Sequence, residues 1–238
     1  MRFLDVWRFS KIEAEVHIIL GLAEALGRTH NPLFICDDIG LGKTHLLHAI
    51  AHYALSRDAS LKIIYLNAEK FINIFVQALK GGQLSQIREE ANSTDMFLID
   101  DIQFLCNRNR SGSQEELSHI FDTLRSKDRQ IVISSNHRPS KLKLISEMLT
   151  KFFQSGLLVE LQVPDESMRI EIIRKKAALM NCNVPDDVIH FIAQNITSNI
   201  RDLEGGLKRI IMAHKISNKL KVTYNTTRRE LGPILQRF

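Results

Sequence analysis

The sequence predicts an α/β fold, a parallel sheet covered by helices on both faces, followed by a small all-helical domain. Three observations predict it. Five apolar runs of strand length (Leu33–Cys36, Lys62–Leu66, Met96–Ile99, Gln130–Ser134 and Leu157–Leu161) are separated by segments of helical periodicity, among them Leu46–Leu55, Glu69–Leu79 and Gln114–Leu124. Such alternation builds a five-stranded parallel sheet in a three-layer αβα sandwich. After Pro164 the pattern is helical only. Between the first strand and the first helix lies a tight glycine turn, Gly40-Leu41-Gly42-Lys43-Thr44.

The helical part reads in order. Glu166–Leu179 is its first helix. Pro185 opens the second, since proline suits a first turn that has no use for its missing N–H. Ser198-Asn199 caps the third, which runs from Ile200 to about His214. The boundary therefore falls near residue 163, giving an α/β domain over 1–163 and a small helical domain over 164–238. The polar, basic tail Lys215–Phe238 is expected to add one more short strand or helix.

Composition bounds the function. The 238 residues are 44% apolar and 25% charged, ordinary for a soluble globular protein with an ample core. No apolar run approaches the roughly 18 residues of a membrane span. Met1-Arg2-Phe3-Leu4-Asp5 lacks the form of a signal peptide, and three widely spaced cysteines (Cys36, Cys106, Cys182) suit reduced thiols. A cytoplasmic location is expected. The net charge of +5 mildly favours a polyanionic partner.

The glycine turn carries the chemistry. A buried strand, a glycine turn and a Lys-Thr pair opening a helix form a P-loop. Gly40 and Gly42 let backbone N–H groups close around phosphate oxygens, Lys43 adds positive charge, and the Thr44 hydroxyl can ligate Mg²⁺. A second signal is Met96-Phe97-Leu98-Ile99-Asp100-Asp101, about 55 residues further on. Two carboxylates end a buried strand at the edge where parallel sheets bind ligands. Asp100 is expected to hold Mg²⁺ opposite Thr44, and Asp101 to orient the attacking water. His48 and His52 form an i, i+4 pair that could bind a metal.

With these residues in place, the chain resembles the AAA+ module of the bacterial replication initiator DnaA (the DnaA/Hda-like family). The resemblance rests on Asn31-Pro32-Leu33-Phe34, on Gly40–Ile50 and on Phe97–Phe104, which contains Ile-Asp-Asp-Ile-Gln-Phe. It is supported by Gln114-Glu115-Glu116 and Asn199–Gly205, and it covers nearly the whole chain. It implies an AAA+ P-loop NTPase with a helical lid, ATP and Mg²⁺ as cofactors, and action at a chromosomal origin. By the resemblance Asn136 falls at the sensor-1 position and Arg201 at the sensor-2 position, which links nucleotide to lid. His45 and His48 belong to the family motif, where no metal is involved.

Three departures accompany the matches. Asp37 and Asp38 stand where the family has glycines. If the loop needs positive φ at position 37, aspartate carries a backbone cost. Each carboxylate also repels a triphosphate, by roughly 3–4 kcal/mol at 4–5 Å and an effective dielectric of about 20. The box ending Arg-Leu-x-Ser-Arg-Phe reads Met148-Leu149-Thr150-Lys151-Phe152-Phe153, so Phe152 replaces the arginine a neighbouring subunit would insert, a group worth about 10³–10⁵ in rate. The adenine-pocket segment reads Trp7-Arg8-Phe9 in place of Val-Val-Gly.

Nucleic-acid contacts follow from the same resemblance. Val76 matches the apolar residue that touches single-stranded DNA, and Arg108 and Arg110 match basic residues that reach phosphates without reading sequence. Ser111-Gly112 are two extra residues there. The chain stops near the end of the lid, so sequence-specific duplex binding is not expected. Two functional readings stand. One is an ATP-binding switch in the initiation or regulation of replication, with little or no hydrolysis. The other is a nucleotide-independent adaptor, like Hda, that binds the full-length initiator, a helicase or single-stranded DNA. Met1–Trp7 holds no Gln-Leu clamp motif of the Hda kind. A homo-oligomer suits the first reading, and no membrane partner suits either.

Overall fold

The computed structural model describes residues 30–37, 40–216 and 223–235. These fall into two compact units. One combines 30–37 with Lys43–Leu161, and the other combines 40–42 with the described residues from Gln162 onward.

The first unit carries the sheet. Its elements are β1 (Leu33–Cys36), α1 (Lys43–Arg57), β2 (Ile63–Asn67), α2 (Ala68–Gly81), α3 (Leu84–Asn92), β3 (Met96–Asp100), α4 (Ser111–Ser126), β4 (Gln130–Ser135), α5 (Glu147–Gln154) and β5 (Leu157–Glu160). Two 3₁₀ turns, Ile102–Leu105 and Arg108–Arg110, lie between β3 and α4. The strands run in the order β2-β3-β4-β1-β5, every neighbouring pair parallel.

Side chains alternate across a strand, and the core divides accordingly. Phe34, Cys36, Phe97, Ile99, Ile131 and Ile133 join α2, α4 and α5 in one apolar cluster. Leu33, Ile35, Met96, Leu98 and Val132 join Leu46, Leu47 and Ile50 of α1 in another. The three layers thus follow from period-2 strands that are apolar on both faces. The predicted strands are all present, with shifts at their ends. Lys62 stays outside β2, Asn67 and Asp100 are drawn in, and Leu161 leaves β5 while its N–H still reaches the Cys36 carbonyl at 3.0 Å.

Register brings the strand ends together. Asn67 pairs with Asp100, and Cys36 pairs with both Ser135 and Glu160. One edge of the sheet therefore collects the C-terminal ends of all five strands, beside the reversal of strand order where ligands bind in open α/β sheets. Gly156 permits the return into β5, because a Cβ there would lie 1.9 Å from the Pro32 carbonyl oxygen.

The second unit contains α6 (Glu166–Leu179), α7 (Asp186–Asn195), α8 (Ile200–Ile216) and α9 (Tyr224–Leu235). Asp165 caps α6 through the Met168 N–H at 2.9 Å, and Asn199 caps α8 through the Asp202 N–H at 2.8 Å. Part of the tail is thus a helix, α9. Met168, Ile172, Ile192, Leu203, Leu207 and Leu231 are buried in this unit.

Candidate nucleotide site

β1 is buried along its whole length, and past its end the Asp37 N–H still donates to the Ser135 carbonyl at 3.4 Å. The turn that follows needs glycine at two points, with φ of +95° at Gly40 and +101° at Gly42. A side chain at either position is strained. Within the helical unit, the Arg201 N–H donates to the Gly40 carbonyl at 3.3 Å, and a Cβ on Gly40 would lie 2.9 Å from Asn199 Oδ1. Gly40 and Arg201 are therefore brought together through their backbones.

Asp37 departs from the sequence expectation. Among the described residues it is not one of those with positive φ, so the anticipated backbone cost is not incurred. Its carboxylate instead turns onto Lys43, and Oδ1 accepts from the ammonium. Lys43 also donates to the Asp37 carbonyl at 3.3 Å. Both side chains are buried, and Asp37 Oδ2 has no hydrogen-bond partner among the described residues. The acid acts first by neutralising the P-loop lysine. Asp38 lies outside the described residues.

Asp100 is the hub of the sheet unit. It is buried at the end of β3 and takes three hydroxyl protons. Thr44 Oγ1 donates to Oδ2 at 2.7 Å, Tyr65 Oη donates to the same oxygen at 2.9 Å, and Ser134 Oγ donates to Oδ1. Thr44 opens α1, Tyr65 is on β2 and Ser134 on β4, so three elements converge on one carboxylate. The predicted Thr44 and Asp100 pair is in direct contact. Tyr65 and Ser134 escaped sequence reasoning, which attended to charged groups; their signal was position near the C-terminal ends of strands flanking β3. Burial, and then the neighbouring Asp100, hold the Tyr65 phenol well above its ordinary value. The His48 ring meets the Tyr65 ring edge-on at 4.5 Å.

Asp101 has φ of +57°, uncommon for a residue with a side chain. Its N–H donates to Ser134 Oγ at 2.9 Å, which fixes the turn. Gln103 Nε2 donates to Asp101 Oδ1 at 2.9 Å, while Gln103 Oε1 accepts from the Asn136 N–H at 3.1 Å. One amide thus links Asp101 to Asn136. Gln103 lay inside the quoted motif without an assigned role.

The remaining positions divide. Val76 is 39% exposed on α2, and Arg108 and Arg110 sit in a 3₁₀ turn rather than a loose loop. Gly112 is in the first turn of α4, where a Cβ would lie 3.5 Å from the Phe75 ring, so the extra residues are helix. Gln114 is structural: it donates to the Leu105 and Leu144 carbonyls and accepts from the Ser146 N–H. Phe152 is buried and stacks on Phe121, with centroids 5.0 Å apart at 17°. Trp7-Arg8-Phe9 and the Met1–Trp7 segment lie outside the described residues. No described helix is long and apolar enough to cross a membrane.

This geometry has counterparts. The family model described as the bacterial DnaA ATPase domain matches residues 11–160. Domain III of the replication initiation protein DnaA from Thermotoga maritima is 34% identical, with 99% of this chain and 97% of that one covered and a TM-score of 0.91. A structure of replication initiator DnaA bound to AMPPCP and single-stranded DNA is 32% identical over 91% of this chain and 67% of that one, at 0.78. AMPPCP-bound DnaA from Aquifex aeolicus is 34% identical over 84% of this chain, at 0.76; the matched part spans 62% of its length. Thermotoga maritima RuvB, at 20% identity over 93% of this chain and 67% of that one and a TM-score of 0.68, shares the fold. The P-loop turn, the paired acids at the end of β3, the sheet order and these matches place the chain in the family of bacterial DnaA ATPase domains, an AAA+ fold of replication initiation.

Proposed function

We propose that the chain binds ATP with Mg²⁺ and uses the bound nucleotide as a conformational switch in the initiation or regulation of chromosomal replication, with slow or no hydrolysis. The observation that carries the reading is the 2.7 Å hydrogen bond from Thr44 to Asp100. It commits the Thr44 proton to the carboxylate and leaves the Oγ1 lone pairs for a cation. A hydroxyl and a carboxylate are hard oxygen donors, the set that suits Mg²⁺. Glycines at +95° and +101° open the turn to phosphate oxygens.

When bound, Mg²⁺ would neutralise phosphate charge, with Thr44 and Asp100 holding it. Gly40, Gly42, Lys43 and Arg201 are assigned to the nucleotide. Asp101, steadied by Gln103, and Asn136 would face the water at the terminal phosphate. Two features support slow turnover: Asp37 competes with phosphate for Lys43, and Phe152 offers no guanidinium to a neighbouring subunit. Val76, Arg108 and Arg110 are assigned to single-stranded DNA. The domains are assigned as 1–163 and 164–238, and the location as cytoplasmic. The partners expected are a replication initiator, a helicase or a second copy of the chain.

Isothermal titration with Mg²⁺-ATP, beside Lys43→Ala, tests the reading. Micromolar binding lost in the variant is expected. No heat in either protein would overturn it and leave the second reading, a nucleotide-independent adaptor. One observation favours that alternative: the Asp37 carboxylate already gives Lys43 a buried counter-charge.

A further inference from the structure

We propose that Tyr65 is a positioning residue for the metal, holding Asp100 so that Thr44 presents its oxygen lone pairs to Mg²⁺. This rests on the nucleotide reading above and goes beyond it, because β2 has no part in the P-loop or in the acid pair.

The argument is one of acceptor sites. A carboxylate offers about four hydrogen-bonding positions, and Asp100 has three of them filled by hydroxyls. Ser134 fixes Oδ1. Thr44 and Tyr65 share Oδ2, Thr44 from the first residues of α1 and Tyr65 from the adjacent strand β2. The terminal torsion of a carboxylate is broad and soft, and with one hydroxyl on each oxygen it keeps some play that a second hydroxyl on Oδ2 removes. With Tyr65 in place, Oδ2 is held at one point, and the Thr44 proton has one direction in which to go. The lone pairs of Thr44 Oγ1 are then aimed away from Asp100. The phenol is itself placed: its ring is half-buried and packed edge-on against His48 of α1. Register supplies the rest, since Tyr65 pairs with Leu98 and stands two residues before Asn67, the partner of Asp100.

Tyr65→Phe tests the assignment, because it keeps the ring against His48 and removes only the hydroxyl. Nucleotide affinity is measured by calorimetry with Mg²⁺ and again in EDTA. The expected result is a loss of about 5–10-fold with Mg²⁺, the scale of one ordinary hydrogen bond, and a change within about twofold in EDTA. In an Asp100→Asn background, Tyr65→Phe should cause no further loss with Mg²⁺.

An unchanged Mg²⁺ affinity in Tyr65→Phe overturns the proposal. So does an equal loss with Mg²⁺ and in EDTA, which a merely structural residue would give. A further loss on top of Asp100→Asn overturns it too. A wild type that binds no nucleotide overturns the nucleotide reading, and this role with it; that failure shows in the wild type alone and stays distinct from the other three.

Discussion

The Lys43 ammonium is paired with the Asp37 carboxylate inside the P-loop, both side chains buried. Among the described residues the second oxygen of Asp37 has no hydrogen-bond partner. A triphosphate that uses Lys43 must displace an intramolecular anion, and then leave that anion next to its own charge. Removing the acid should therefore act with opposite sign on two measurements. Asp37→Asn and Asp37→Gly are expected to bind Mg²⁺-ATP about tenfold tighter or more, a gain of roughly 1.4 kcal/mol. Without nucleotide the same variants lose the counter-ion of a buried lysine, at a cost of about 3 kcal/mol. For a chain of this size that lowers the melting temperature by roughly 6–12 °C. Calorimetry and thermal unfolding of the same samples check both signs. Equal nucleotide affinity in wild type and Asp37→Gly would show that the acid does not compete.

Phe152 makes a second prediction. Leu149, Phe152 and Phe153 follow the i, i+3, i+4 spacing of the buried face of α5. The Phe152 ring stacks on Phe121, and the Arg125 guanidinium lies over the Phe152 ring at 5.8 Å from the centroid. The residue is a core aromatic. Phe152→Ala should cost about 3 kcal/mol in denaturant unfolding. The wild type should show negligible ATPase at any protein concentration; turnover that rises with self-association would mean another residue, such as exposed Lys151, takes the finger's part.

Legibility in the sequence followed charge and period. The strands could be read because runs such as Met96–Ile99 and Gln130–Ser134 are apolar on both faces, which only a covered parallel sheet requires. Thr44 and Asp100 could be paired because motif spacing fixes which strand follows which helix. Asp37 was read as a charge that repels phosphate, whereas the structure pairs it with Lys43. Sequence shows two acids near a phosphate loop; only the fold shows that one is turned inward onto Lys43. Tyr65, Ser134 and Gln103 were not legible, because a neutral hydroxyl or amide at a strand end is common. What gives each its place is the sheet order β2-β3-β4, a non-local property. Gln114 was singled out by resemblance alone, and its three backbone hydrogen bonds explain it as a brace.

Gln103 gives a third prediction. Its amide donates to Asp101 and accepts from the Asn136 backbone. Gln103→Ala removes both bonds and should cost about 1–2 kcal/mol, independent of pH. Gln103→Glu keeps the acceptor but turns the donor into a carboxylate facing Asp101. Two like charges raise the folded-state pKa of one carboxyl above its unfolded value. Stability from such a group is present below the unfolded pKa and lost as pH rises through the folded one. The Glu variant should therefore be destabilised by about 2 kcal/mol at pH 7 and regain stability as the medium is acidified toward pH 4–5. Unfolding at the two pH values checks it. A Glu variant with the same deficit at both would show that Asp101 and residue 103 do not interact.

The last prediction concerns the surface shared by α2 and the basic turn. Gly112, at the start of α4, approaches the Phe75 ring, which places the turn of Arg108 and Arg110 beside the helix that exposes Val76. Charge and apolar contact then have separable signatures. Each arginine that neutralises a phosphate of single-stranded DNA releases counter-ions and contributes about 0.7 to the slope of log affinity against log salt. Replacing both arginines with alanine should weaken binding to a homopolymeric oligonucleotide and reduce that slope by about 1.4. Val76→Ala should weaken binding only modestly and leave the slope unchanged, because an apolar contact displaces no ions. The wild type should show no preference among single-stranded sequences, since phosphate contacts carry no base information. Fluorescence anisotropy between 50 and 200 mM salt measures all three. A double arginine variant with the wild-type slope would remove Arg108 and Arg110 from the nucleic-acid surface, whatever became of Val76.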